Sequence, residues 1–348
     1  MSCQLLPEWH PQDAVLLAWP HADTDWHTSL DAIHRVYVDL IKQITRFQYV
    51  VLVVHNASVR NAAREVLMAH QIALEQILFV EAPYNDTWLR DTGPISCKNQ
   101  GYIELHDFRF NGWGGKFDAR LDDQLCQQLF QQSIFSPHQK RHGIFLEGGS
   151  IDTDGIGTLL TTSRCLLTRT RNPAMNRSDY ADYFEQTFQI QRTLWINHGE
   201  LLGDDTDSHI DMLARFCNPQ TIAYSACDDA SDVHFATLKN LEDELQRLRQ
   251  TDNTPYRLVP LPLPAAKYNG AGDRLPASYA NFLIINQAVL VPVYADAMDE
   301  AACQRLADCF PGREVIAIEA NAIIQQGGSL HCLTMQLPAG SLQPGAKT

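Results

Sequence analysis

Apolar positions along the chain follow two alternating periods. Between Leu30 and Phe47, the residues Leu30, Ile33, Val36, Tyr37, Leu40, Ile41 and Ile44 make one stripe at helical spacing, which predicts an amphipathic helix. Weaker stripes predict helices over 59–70, 119–132, 232–249 and 297–309. Short runs rich in β-branched and aromatic residues predict strands over 49–54, 77–80, 102–110, 157–162, 221–225, 281–285, 289–293, 314–318 and 330–336. The two kinds of element alternate about five times, which fits either a doubly wound α/β sheet or a cyclic array of αβ repeats. The strings Leu146-Glu147-Gly148-Gly149-Ser150-Ile151 and Gln325-Gln326-Gly327-Gly328-Ser329-Leu330 share a Gly-Gly-Ser entering a strand. They read either as equivalent points of related units or as a coincidence of short strings.

Composition narrows the class. Of 348 residues, 45% are hydrophobic and 20% charged, the balance of a folded globular chain, and no linker-like or single-charge block divides it. One domain over residues 1–348 is expected. A net charge of −14 disfavours a nucleic-acid partner and suits a cationic one, although acidity also serves solubility. The N-terminus lacks a basic and then apolar secretory signal, and no run approaches the roughly 20 apolar residues of a membrane span. A cytoplasmic protein without a membrane partner is therefore expected, and homo-oligomerisation is left open. Nine cysteines without CxxC spacing argue against a disulfide framework and a zinc site, and in the cytosol they would stay reduced. No GxGxxG or Walker-type motif supports a nucleotide site.

Five polar segments set ionisable or aromatic groups beside Gly- or Pro-marked backbone: 85–94, 111–115, 146–149, 204–211 and the run ending at Cys332. The acidic run around His209 begins like a calcium loop but lacks the glycine and spaced oxygens of one. Zinc is a poor reading too: His209 and Asp211 could share a strand face, but no further ligand lies at the right spacing, and His331 and Cys332 should point to opposite faces. His209 is then either a general base beside the Asp211 carboxylate or a satisfied structural histidine. Cys332 is either a small buried hydrophobe or a thiol that Gly327 and Gly328 open to a substrate. Trp88, flanked by Asp86 and Asp91, and Trp113, flanked by glycines, fill the core or wall a pocket for a planar cation.

Taken together, Asn85-Asp86-Thr87-Trp88-Leu89-Arg90-Asp91-Thr92-Gly93-Pro94, Asn111-Gly112-Trp113-Gly114-Gly115, Leu146-Glu147-Gly148-Gly149, Asp207-Ser208-His209-Ile210-Asp211 and His331-Cys332 resemble the agmatine deiminases. These belong to the guanidino-group-modifying (pentein) superfamily and are related to the Porphyromonas-type peptidylarginine deiminases. The likeness runs from Pro7-Glu8-Trp9-His10-Pro11 and Leu17-Ala18-Trp19-Pro20 to the C-terminal Gly-Gly-Ser-Leu-His-Cys. It implies a five-bladed α/β propeller of ββαβ repeats with pseudo-fivefold symmetry. It also implies hydrolysis of agmatine to N-carbamoylputrescine and ammonia, in putrescine and polyamine metabolism, with no metal or cofactor.

By matched position, Cys332 is the nucleophile, His209 the general acid and base, and Glu147 the residue that orients it. Asp91 and Asp211 bracket the guanidinium, while Trp88, Trp113 and Gly328 line the substrate pocket. Two departures are visible: the family often has Gly where Ser208 stands, and Gly-Gly-Gly-Asn-Ile where this chain has Gln326-Gly327-Gly328-Ser329-Leu330. They touch loop shape rather than catalytic groups. A peptidylarginine or arginine deiminase is the enzymatic alternative. A non-enzymatic, ribosome-binding propeller is the other, and it would lack the Cys/His/carboxylate set.

Overall fold

The computed structural model describes residues 3–347. The strongest stripe forms the helix Leu30–Ile44, which buries Ile33, Val36, Tyr37, Leu40, Ile41 and Ile44 on one side. Beside it, the strand Tyr49–Val54 lies parallel to Gln12–Ala18 on one edge and Ile77–Glu81 on the other. Neighbours on both edges and cover on both faces explain its unbroken Val-Val-Leu-Val-Val run.

Five small mixed sheets result, and each has the same order of connections. Two strands pair antiparallel, a helix crosses over, and a third strand joins parallel to the second. Ile95–Asn99 pairs with Tyr102–Arg109, then Gln139–Phe145 follows the helix Asp122–Phe130. Ile151–Thr153, Thr158–Thr162 and Arg192–Ile196 repeat the pattern, as do Ala214–Asn218, Thr221–Ala226 and Arg257–Pro262. Leu283–Ile285, Ala288–Val293 and Glu314–Glu319 form the fourth unit. In the fifth, the C-terminal strand Met335–Pro338 pairs antiparallel with Gln12–Ala18, so the two ends of the chain share one sheet.

Three expectations need correction. The strand expected over 330–336 is a 3-10 turn at His331–Leu333 followed by the strand Met335–Pro338. His331 and Cys332 therefore do not alternate across a sheet, and both side chains reach the same carboxylate of Asp211. His209 and Asp211 likewise stand at a 3-10 turn, Ile210–Met212, rather than on a strand. Third, Cys3 and Cys97 form a disulfide, leaving seven free cysteines. The strand Gln4–Leu5 pairs with Ile95–Asn99 so that Leu5 faces Cys97, which brings together two cysteines 94 residues apart. Cysteine spacing does not report such a contact.

Candidate active site

Turns at the ends of strands carry the site, where backbone is free to bend and side chains of several units converge. Asp91 lies in the short helix Leu89–Thr92, Glu147 and Gly149 enter the turn before Ile151–Thr153, and Cys332 lies in the 3-10 turn before the last strand. Gly149 shows how closely these turns approach. A Cβ there would stand 2.7 Å from His209 Nδ1, 2.9 Å from Asp91 Oδ1 and 3.2 Å from Asp211 Oδ2, so no larger residue fits.

All five of the expected reacting groups are buried: Cys332 is 5% exposed, Asp91 6%, and His209, Glu147 and Asp211 1% or less. His209 lies between two carboxylates, with Nδ1 3.6 Å from Asp91 and Nε2 3.7 Å from Glu147. Both distances are too long for hydrogen bonds, and both ring nitrogens are unpartnered. Burial works to lower the pKa of His209, but Asp91, Cys165 and Glu147 more than offset it and hold it well above the ordinary imidazole value.

Each carboxylate is aimed by its neighbours. Asp91 accepts from Gly149 N and from Trp113 Nε1, both at 2.9 Å. Trp113 holds a left-handed backbone, with φ of 54°, between glycines that are also left-handed, and this turn points its indole at Asp91. Such a conformation costs a bulky residue on the order of 1–3 kcal/mol and persists only when its surroundings impose it. Glu147 receives Arg171 Nε at 2.8 Å on both oxygens. Asp211 binds His331 Nδ1 at 2.8 Å through Oδ2, while Oδ1 is buried without a partner.

The Cys332 sulfur lies 3.6 Å from Asp211 Oδ2 and 3.2 Å from Asn281 Nδ2. Burial, then the Asp211 and Asp91 carboxylates, push its pKa well above that of an ordinary thiol. Above the sulfur opens a cavity of about 580 Å³. Trp88, Trp113, Asp91, Gly328 and Cys332 line it, together with Asp25, Asp86 and Asp122; His209, Glu147 and Asp211 lie outside the lining. Gly328 lies against Trp88, and a Cβ there would come within 2.3 Å of the indole.

Could a cation other than a substrate occupy this site? Glu147, Cys165 and His209 place donor atoms within 4.8 Å of one another. Arg171, however, already bonds both Glu147 oxygens, so a guanidinium takes the charge that a metal would need. A second such set, Cys3, Cys97 and His106, has its sulfurs bonded to each other.

Arg171 and Asn281 stand in no local motif of reactive residues, and Glu8, although within Pro7-Glu8-Trp9-His10-Pro11, is given no role by the sequence. Ser208, noted only as a departure, has φ of 66°, the left-handed region that a glycine adopts freely. Thr162 Oγ1 donates to its carbonyl at 2.7 Å and its amide donates to Asp204 at 3.1 Å, which holds the loop in place.

The chain is similar over nearly its whole length to several known proteins. The family model described as Porphyromonas-type peptidyl-arginine deiminase matches residues 4–338. An agmatine deiminase from Pseudomonas putida is 32% identical, over 95% of this chain and 94% of the relative. A solved Porphyromonas gingivalis structure, provisionally assigned as an arginine deiminase, is 43% identical with a TM-score of 0.90, covering 97% of this chain and 99% of that one. A C. jejuni agmatine deiminase, solved as a cysteine-to-serine variant with substrate bound, is 34% identical with a TM-score of 0.88, covering 96% of each chain. The chain belongs to the Porphyromonas-type peptidyl-arginine deiminase family.

Proposed function

We propose that the protein hydrolyses the guanidinium group of agmatine to N-carbamoylputrescine and ammonia. One observation carries the choice of substrate: the cavity over Cys332 is lined by aspartates, and Arg274 is the one cation among its lining residues. Arg274 is paired with Asp232 at 3.0 Å, so among the described lining residues no unpaired cation faces the α-carboxylate of free arginine. A substrate with a guanidinium at one end and an ammonium at the other matches this cavity throughout. The curated agmatine deiminases at 30–32% identity support the same reading.

A guanidinium carbon is a poor electrophile, so the enzyme must hold it rigidly against a strong nucleophile. Asp91 and the free Oδ1 of Asp211 pair with its N–H groups. Burial and two carboxylates keep Cys332 protonated; the incoming cation neutralises the carboxylates, and the thiol proton leaves to solvent as the thiolate forms. Sulfur then attacks the carbon, His209 passes its proton to the departing ammonia, and a covalent thiouronium remains. His209 next takes a proton from water as the water oxygen adds to the carbon, the C–S bond breaks, the remaining hydroxyl proton passes to solvent, and the ureido product leaves with Cys332 as thiolate. Glu147, fixed by Arg171, orients His209. Trp88, Trp113 and Gly328 form the walls that bind substrate, and no metal or cofactor is required.

The five ββαβ units are read as the blades of one propeller closed around this site, within a single domain over residues 1–348. A place in putrescine and polyamine metabolism follows from the product. The seven free thiols fit a cytoplasmic location, to which the Cys3–Cys97 bridge is the exception. A peptidylarginine substrate is the second reading, favoured by the family description and by a cavity wide enough for more than agmatine.

Incubation of the purified protein with agmatine, free arginine and a blocked arginyl peptide, followed by assay of ureido product and ammonia, tests the proposal. Turnover of agmatine that vanishes in Cys332→Ala is expected. Absence of agmatine turnover, or its survival in that variant, overturns the proposal, and rapid turnover of the peptide promotes the second reading.

A further inference from the structure

Behind Asp211, on the side away from the cavity, lies a buried ionic chain that the reaction does not touch. His331 Nδ1 contacts Asp211 Oδ2 at 2.8 Å and its Nε2 contacts Glu8 Oε2 at 2.6 Å. Both ring nitrogens lie within hydrogen-bond distance of a carboxylate, so the imidazole is held from two sides. Glu8 is fixed in turn: Arg215 Nη2 donates to it at 2.8 Å, Arg90 Nη2 at 3.4 Å and Ile284 N at 2.6 Å. Glu8, Arg90, Arg215 and His331 are each at most 4% exposed. Two carboxylates far apart in sequence, Asp211 and Glu8, thus close on one imidazole.

The geometry points to His331 and Glu8 as positioning residues that set the orientation of Asp211 for the reaction. Two observations support this. First, the Asp211 carboxylate is divided: His331 holds Oδ2, and Oδ1 is left buried and unpartnered, available to a guanidinium. Second, the backbone that carries the nucleophile belongs to the same assembly. Asn281 Oδ1 accepts from His331 N at 2.8 Å and from Cys332 N at 3.3 Å, and Asn281 Nδ2 donates to the Asp211 carbonyl at 3.3 Å. Rotation of the imidazole therefore moves the clamp relative to the sulfur.

This inference rests on the reading of Asp211 and Cys332 as guanidinium clamp and nucleophile. It separates two contributions of Asp211. Charge attraction to a cation depends weakly on how the carboxylate is turned, whereas alignment of the carbon with the sulfur depends on it strongly. Loss of His331 should accordingly lower kcat and leave KM nearly unchanged.

The test compares wild type, His331→Gln, Glu8→Gln and the double variant on agmatine, with rates normalised to folded protein by circular dichroism and thermal melting. Should the wild type prefer another guanidino substrate, the ratios are measured on that one, so failure of the agmatine reading is seen in the wild type and failure of this inference in the ratios. His331→Gln is expected to lose about 10–100-fold in kcat, since a misplacement of about 1 Å can cost 100-fold. Glu8→Gln, acting through His331, is expected to lose less, and the double variant no more than His331→Gln alone. A folded His331→Gln with wild-type kcat overturns the inference, as do single-variant losses that multiply in the double. If His331→Gln does not fold, Glu8→Gln decides alone: a drop in kcat at constant KM supports the inference, and an unchanged kcat refutes it.

Discussion

Asp211 bonds His331 through one oxygen and leaves the other without a protein partner, and Asp91 does not. Both Asp91 oxygens already accept protein N–H groups, one from Gly149 and one from Trp113. Burial, together with Asp211 and Glu147 and against the pull of His209, raises the Asp91 pKa, whereas the hydrogen bond from His331 brings that of Asp211 below its usual value despite burial. The two carboxylates of the proposed clamp therefore differ: the fold disfavours ionisation of Asp91 and favours that of Asp211. Asp91→Asn and Asp211→Asn should each lower turnover by at least about 100-fold while the chain still unfolds cooperatively. Steady-state assay beside thermal denaturation checks this, and an active Asp211→Asn variant would contradict the assigned clamp. Ser208 makes a related point at the same scale. Its left-handed backbone keeps the loop shape of a glycine position without the glycine, so the departure from the family pattern leaves His209 in place.

Among the elements, Arg171 links the loop of Glu147 to the loop that precedes His209. Fully buried, it bonds both oxygens of Glu147, Asp207 Oδ2 at 2.7 Å and the Thr206 carbonyl at 2.9 Å. Arg171→Met would leave the Glu147 charge buried without its partner, a loss of about 3–5 kcal/mol in stability. Chemical denaturation measures that figure, and a loss under about 1 kcal/mol would show that water or a shifted side chain replaces the guanidinium. Arg171 also marks where the sequence stopped being readable. Helices with a wide apolar stripe, such as Leu30–Ile44, were legible within a few residues, and so were all-apolar strands such as Ala288–Val293. Other strands were not: Gln139–Phe145 reads Gln-Lys-Arg-His-Gly-Ile-Phe, and its exposed positions hide the period. The helix Arg177–Phe188 was missed although Asn176 and Asp179 form a capping box, because its buried face is only Tyr180, Phe184, Thr187 and Phe188. The local motifs named the groups that converge at the site. Groups such as Arg171 and Asn281, which hold them by contacts across the fold, leave no local pattern.

Across the whole molecule, the net charge of −14 includes a group of aspartates that line the cavity. Asp86 and Asp122 line the cavity, and burial, with the negative charge of neighbouring aspartates, raises each pKa to about 7 despite backbone N–H groups that favour the ionised forms. Each folded-state pKa lies above the ordinary carboxylate value, so the native state holds more protons than the unfolded chain between roughly pH 4 and pH 7. The stabilising contribution of these groups is full below the unfolded pKa and is lost as the pH rises through about 7. Asp122→Asn removes that penalty and keeps an oxygen for the Asn85 amide that Asp122 Oδ1 accepts at 2.7 Å. The variant should therefore melt higher than wild type at about pH 8, and the difference should shrink towards zero near pH 4. Agmatine should bind it more weakly at the higher pH, where the wild-type cavity carries the extra charge. Melting curves and KM at both ends of the range check the two trends together. A melting difference that does not vary with pH would show that Asp122 is not the group whose ionisation is penalised by folding, and the acidic cavity would then owe its affinity for cations to the remaining aspartates.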